Sequence, residues 1–247
     1  CQAAVPVTKP PVCRYGSSTA KTTIAVVGDS KVAQWVPAFQ ILAKKYDWQI
    51  LTYTKSACAF ATITTSLSGK PYTECRTWTD NVIKALTTTV KPDFVVTTNQ
   101  NTSGIVGKTD GKLKLSKAAM LDALVSTWTT LENAGIKVIS LADTPQTGMQ
   151  VYSCVSEHEK DYFSKCTFDR AKGIRLSGLD EQKAAAKKAG VPFIDMTPFI
   201  CPTVYKNACP PVIGKVMIYR QGSHITKTYI ETMSDQLYGE LRKAGVR

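Results

Sequence analysis

Apolar positions along the chain fall into two alternating patterns. Thr22-Thr23-Ile24-Ala25-Val26-Val27-Gly28 is a continuous apolar run closed by glycine, as a strand buried on both faces requires. Directly after it, Val32, Trp35, Val36, Phe39, Leu42 and Ala43 recur at helical spacing. The alternation continues. Strands are predicted at Trp48 to Tyr53, Phe94 to Thr97 (preceded by Pro92), Ile136 to Ala142 and Val191 to Ile194. Helices are predicted at Arg76 to Val90, from the N-cap Ser116 to Ala134, at Gly173 to Ala189, and at Ile225 to Ala244. Gly135 and Gly190 stand where the second and third of these helices stop. Strand and helix alternating five times predicts an α/β fold: a single domain with a five-stranded, mostly parallel, doubly wound sheet. The proline-bearing residues 1–21 show no periodicity and read as a lead-in to a domain spanning 22–247.

Cysteine usage changes the picture of the compartment. Eight cysteines are too many for a reduced cytosolic domain of 247 residues to carry idly. They occur as sequential pairs, with no CxxC, and the chain has only two histidines, which argues against zinc and for four local disulfides. Eight cysteines permit 105 connectivities; the expected pairing is Cys1–Cys13, Cys58–Cys75, Cys154–Cys166 and Cys201–Cys209, with the first pinning the lead-in. A lipidated Cys1 would leave an odd number, which disfavours it. The compartment is therefore oxidising, outside the cytoplasmic membrane. Cys1 is expected to begin a mature or excised segment.

Lys and Arg total 31 against 19 acidic residues, a net charge of +12. That suits a polyanionic setting. The cations are scattered, with Lys44-Lys45 and Lys187-Lys188 the densest clusters, so no nucleic-acid signature emerges. No run of 18 apolar residues exists to span a bilayer.

In open α/β sheets ligands sit beyond the carboxyl ends of the strands. The first strand's exit reads Gly28-Asp29-Ser30 and leads straight into a helix. A serine in that turn is exposed near the positive end of the helix dipole, though it equally fits a simple N-cap. Near the C-terminus, Tyr219-Arg220-Gln221-Gly222-Ser223-His224-Ile225-Thr226 precedes the last helix and puts a histidine in a polar loop. A serine nucleophile needs a base with a pKa near neutrality, which His224 supplies. The other histidine, His158, lies among Glu157, Glu159, Lys160 and Asp161 and reads as a surface turn.

Together these residues resemble the SGNH hydrolase superfamily, and more closely the extracytoplasmic SGNH domain attached to bacterial acyltransferase-3 membrane proteins. The marks are Gly28-Asp29-Ser30 with Ala33-Gln34-Trp35-Val36-Pro37-Ala38, Thr54-Lys55-Ser56-Ala57-Cys58, and Lys91-Pro92-Asp93-Phe94-Val95-Val96. Asp143-Thr144-Pro145, the segment from Cys201 to Val212-Ile213-Gly214, and Tyr219-Arg220 leading to His224-Ile225-Thr226 complete the set. The resemblance implies Ser30 as nucleophile, His224 as base, Asp29 as an orienting motif residue, and an oxyanion hole from the Ser30 N–H, a glycine of the second block and an asparagine after the third strand. Asn99 occupies that last position, with Asn101 a second candidate, although Asn99-Gln100-Asn101 would also form a turn.

Three departures stand out. Lys31 replaces the His that follows the triplet in many relatives. Ser56-Ala57-Cys58 offers no glycine, leaving the second oxyanion donor unassigned. Gln221 stands where the family's last block has the triad Asp, so His224 acts in a Ser–His dyad or the domain is slow or inactive.

The resemblance implies an O-acyltransferase, with acetyl the expected group, acting through a Ser–His acyl-enzyme on an extracytoplasmic cell-envelope glycan or glycolipid. No bound cofactor or metal is expected. An N-terminal acyltransferase-3 transmembrane domain, absent from this sequence, would supply the acyl donor at the extracytoplasmic face of the bacterial membrane. The isolated domain is expected to be monomeric and not to bind nucleic acid. Two alternatives stay open: a carbohydrate acetylesterase, and a non-catalytic or weakly active glycan- or acyl-binding module.

Overall fold

The computed structural model describes residues 1–100 and 102–247. Its centre is one seven-stranded sheet. In chain order the elements up to the sheet's last strand begin with β1 (Gln2–Ala3), β2 (Cys13–Gly16), β3 (Thr22–Gly28), α1 (Ser30–Ala33), α2 (Val36–Tyr46) and β4 (Trp48–Lys55). A hairpin of β5 (Thr65–Leu67) and β6 (Lys70–Tyr72) leads into α3 (Thr73–Lys84) and then β7 (Phe94–Thr98). A second hairpin, β8 (Gly104–Thr109) and β9 (Lys112–Ser116), precedes α4 (Lys117–Asn133) and β10 (Lys137–Leu141). After β11 (Phe168–Asp169), the last sheet strand is β12 (Phe193–Ile194).

The sheet order is β1-β4-β3-β7-β10-β12, with β2 also on β4. All these pairings are parallel except β2 with β4. The five strands expected from sequence are all present. Two more come from the N-terminal segment: Gln2–Ala3 covers the carboxyl half of β4's outer edge, and Cys13–Gly16 covers the amino half. Strands this short carry no periodicity to read.

β3 shows why its run is apolar throughout. Ile24 and Val26 belong to one hydrophobic core, with Phe39 and Leu42 of α2 and Leu237 and Leu241 of the last helix. Ala25 and Val27 belong to the other, with Trp78 of α3 and Trp128 and Leu131 of α4. Successive side chains of a strand point to opposite faces, so a sheet clothed on both sides has no polar alternation.

Three predicted helices are interrupted. Residues 32–43 split into α1 and α2, with Pro37 tolerated in the first turn of α2. The stretch 173–189 divides into helices Arg170–Arg175 and Leu179–Ala189. The break at Gly178 is tertiary: a Cβ there would lie 2.6 Å from the Asn99 carbonyl oxygen, and its N–H donates to Asp143 at 3.0 Å. The C-terminal helix restarts once, as Lys227–Thr232 and Ser234–Lys243, capped by the Thr226 side chain. In place of the single helix from Arg76 to Val90, α3 ends at Lys84 and residues 85–90 wind as a π-helical turn.

The four disulfides form between Cys1 and Cys13, Cys58 and Cys75, Cys154 and Cys166, and Cys201 and Cys209, the sequential pairing expected. Among the described residues, no helix is long and apolar enough to cross a membrane.

Candidate active site

β3 lies between β4 and β7, and the chain passes from β3 to one neighbour and then back across to the other. Such a switch of direction opens a crevice at the carboxyl ends of the strands. Register places three exits side by side there, since Gly28 pairs with both Thr54 of β4 and Thr98 of β7. Beyond them lie the Ser56-Ala57 loop, the Asp29-Ser30 turn and Asn99.

Gly28 makes the turn possible. Its φ is 145°, and a Cβ would sit 2.6 Å from the Thr98 carbonyl oxygen. Asp29 then caps α1. Its Oδ1 accepts from the Lys31 N–H at 2.9 Å and its Oδ2 from the Gln100 N–H at 3.0 Å, so one buried carboxylate ties the β3 and β7 exits together. Burial pushes the Asp29 carboxyl up to about 7, against the pull of those two N–H donors. Capping by Asp29 leaves Ser30 free of that task, which removes the plain N-cap reading of the serine.

Ser30 Oγ lies 2.7 Å from His224 Nε2. His224 Nδ1 is 3.1 Å from the main-chain carbonyl oxygen of Gln221. A carbonyl only accepts, so the proton sits on Nδ1, and Nε2 presents its lone pair to the serine hydroxyl. Gln221 thus contributes its backbone, while its side chain is exposed. The orienting group is the loop's own carbonyl, in place of the side chain expected at the triad Asp position. Burial holds the His224 pKa below the ordinary imidazole value, helped by the Lys31 charge and opposed by the Gln221 bond.

Two other candidates fall at the same edge. Asn99 is buried at the β7 exit, with its carbonyl oxygen accepting from Gln182 Nε2 at 3.0 Å. Asn101 lies outside the described residues. Ala57, in the block that lacks a glycine, adopts φ 53°, the left-handed conformation a glycine takes most easily. His158 sits on the surface beside Asp161, Nδ1 to Oδ1 3.5 Å.

Sequence reading gave Lys31 no role, yet it is fully buried. Its Nζ donates to Ser223 Oγ at 2.8 Å, Thr144 Oγ1 at 2.9 Å and the Ser223 carbonyl at 3.0 Å, and pairs with Asp143 Oδ1 at 3.3 Å. Gln34, buried one helical turn on, accepts from the Ile225 N–H at 2.8 Å. No local signal marks the role of Lys31: Asp143 and Thr144 lie just beyond β10, more than a hundred positions from it. A groove of about 530 Å³, lined by Tyr152, Met217, Arg220 and Gln221 among others, runs along the His224 loop. Among the described residues, no three His, Cys, Asp or Glu side chains converge to hold a metal ion.

The sequence profile of the SGNH domains fused to AT3 domains matches residues 1–238. The chain belongs to that family. This SGNH domain shares its fold with the periplasmic domain of the lipopolysaccharide acetyltransferase of Salmonella ser. Paratyphi A, at 18% identity and TM-score 0.67, over 91% of this chain and 85% of that one. A Bacteroides fragilis protein of acylhydrolase type is similar at 13% identity and TM-score 0.53, covering 93% of this chain and 90% of its own. TesA is similar at 18% identity and TM-score 0.50, covering 90% and 99%. No curated protein matches by sequence.

Proposed function

We propose that this SGNH domain is an O-acyltransferase that moves an acyl group, acetyl in the first instance, to a hydroxyl of an extracytoplasmic envelope glycan or glycolipid. The observation that carries the reading is the 2.7 Å contact from Ser30 Oγ to a His224 ring whose Nδ1–H is held by a main-chain carbonyl. Membership of a family fused to AT3 domains supports it, and so does the acetyltransferase named for the Salmonella neighbour.

In the first half-reaction His224 Nε2 takes the Ser30 proton while Oγ attacks the donor's acyl carbon. The donor's leaving group departs with that proton, and an ester forms on Ser30. The developing oxyanion is held by the Ser30 N–H, which has no acceptor within its own helical turn, with the Ala57 backbone and the Asn99 side chain as further donors. In the second half, His224 removes the proton of an acceptor hydroxyl, which attacks the acyl-serine and restores Ser30. The AT3 partner presents the acyl donor, and the acceptor lies along the groove, where Tyr152 offers a ring face and Arg220 a cation. Four disulfides and the basic surface suit an oxidising space beside anionic polymer.

The test is hydrolysis of a chromogenic acetyl ester by the domain and its Ser30→Ala variant, repeated with glycan acceptors added. Loss of roughly 10³-fold or more in the variant is expected. Equal rates in both would leave a binding module. Activity that no acceptor diverts from water would make it an esterase. Because the base works neutral and its pKa is depressed, the His224 limb of the kcat/KM profile should lie below 6.5, apart from any change that protonation of Asp29, raised to about 7, brings.

A further inference from the structure

The loop that carries His224 has no carboxylate to orient the imidazole. Its acceptor, the Gln221 carbonyl, cannot swing independently; the direction of that oxygen is fixed by the backbone around it. The turn is closed by its own bonds, from the Arg220 N–H to the His224 carbonyl at 2.9 Å and from the His224 N–H to the Gln221 carbonyl at 3.3 Å. What fixes the turn relative to Ser30 must come from outside it. Gln150 accepts from the Gly222 N–H at 3.0 Å, Gln34 accepts from the Ile225 N–H at 2.8 Å, and Thr144 donates to the Ser223 carbonyl at 3.3 Å. Lys31 alone brings a full charge, with two of its donors on Ser223, the residue before the histidine.

We infer that the buried Lys31–Asp143 pair is the positioning device of the catalytic histidine, locking Ser223 so that the Gln221 carbonyl aims the His224 ring at Ser30. The inference rests on the reading of His224 as the base. A methionine would fill the same volume without the desolvation cost of an ammonium, so the charge serves direction. Lys31 follows Ser30 in the chain, which makes the ruler between nucleophile and base one side chain long. Asp143 is itself anchored, accepting from the Gly178 N–H at 3.0 Å and from Gln146 Nε2 at 3.4 Å. The clamp thus runs from the start of helix Leu179–Ala189 through Asp143 and Lys31 to Ser223.

The arrangement has an electrical signature that packing alone lacks. The charged groups facing His224 are Lys31 from α1, Asp143 from the segment after β10, and Arg220 from its own loop. Lys31 and Arg220 disfavour the imidazolium, whereas Asp143 favours it. Removing Lys31 or Asp143 must therefore move the His224 titration in opposite directions.

The chain contains only two histidines, so the imidazole proton resonances give a direct readout, with the surface His158 as internal reference. In Lys31→Met the His224 titration should move to higher pH, in Asp143→Asn to lower pH, and His158 should stay put in both. Ester hydrolysis by Lys31→Met should lose roughly 10²-fold in kcat with KM little changed, as misplacement of a reacting group does. A wild-type His224 titration in folded variants, or shifts of the same sign, would overturn the inference. Should Lys31→Met fail to fold, the sign in Asp143→Asn decides alone: a downward shift supports the coupling, no shift or an upward one sinks it. The titration needs no substrate, so it stands apart from the Ser30→Ala test; a protein with coupled titrations and no esterase activity would refute the catalytic reading and leave the clamp intact.

Discussion

Lys31 comes just after β3 and Lys55 ends the neighbouring β4, at the same sheet edge, and both are fully buried. Lys31 meets a carboxylate, two hydroxyls and one carbonyl, all belonging to the segments around Ser30 and His224. Among the described residues Lys55 meets main-chain oxygens only, donating to the carbonyls of Val5 and Val7 at 2.6 Å each and of Ala4 at 2.8 Å, with the Tyr72 ring 5.3 Å away. Burial depresses the pKa of Lys55, and only Glu74 opposes it. Three oriented carbonyls thus hold an ammonium, with Glu74 acting on it only from a distance, when its task is to pin residues 4–7. Holding the His224 loop at a set distance from Ser30 recruits a second charge and ties it to two other segments.

Breaking the pair at Lys31 should give the largest effect. Lys31→Met leaves Asp143 buried and unpaired, a loss of about 3–5 kcal/mol in addition to the fall in kcat. The double variant Lys31→Met with Asp143→Asn, whose amide oxygen still accepts from the Gly178 N–H, sharpens the point: denaturant melting should recover most of that stability, while kcat stays low. If kcat recovers as well, the pair served packing alone. Lys55→Met comes next. It leaves carbonyls short of a donor and should cost about 1–3 kcal/mol in melting, with the His224 titration unmoved. A displaced titration would mean that the two lysines are not separable. Smallest is Gln221→Ala, which keeps the carbonyl and removes an exposed side chain. Stability should change by less than about 0.5 kcal/mol, and His224 should titrate as in wild type. A large drop in activity would show that the amide side chain participates after all.

The contrast also explains what could be read without coordinates. The meeting of Ser30 and His224 was legible because a strand-to-helix serine and a lone polar-loop histidine stand out by their type and place. The five core strands were legible because burial on both faces leaves unbroken apolar runs such as Ile24 to Val27. Lys31 was not legible: a lysine one residue into a helix reads as solvated, and its partners Asp143 and Ser223 lie more than a hundred positions away. The break at Gly178 was hidden for the same reason, since the Asn99 carbonyl that demands it comes from another strand. The β8–β9 hairpin was readable and passed over. Asp110-Gly111 stands at its tip with both φ values positive, the backbone such a turn favours.

The four crosslinks join cysteines only 12, 17, 12 and 8 positions apart, and none ties one end of the chain to the other. Each bond can close as soon as its own short segment emerges into an oxidising space, before the next pair of thiols has arrived. The order of emergence thereby does the sorting among 105 possible pairings that a fully synthesised, reduced chain would face. Such spacing suits delivery N-terminus first, and refolding from the reduced, full-length chain forfeits that advantage.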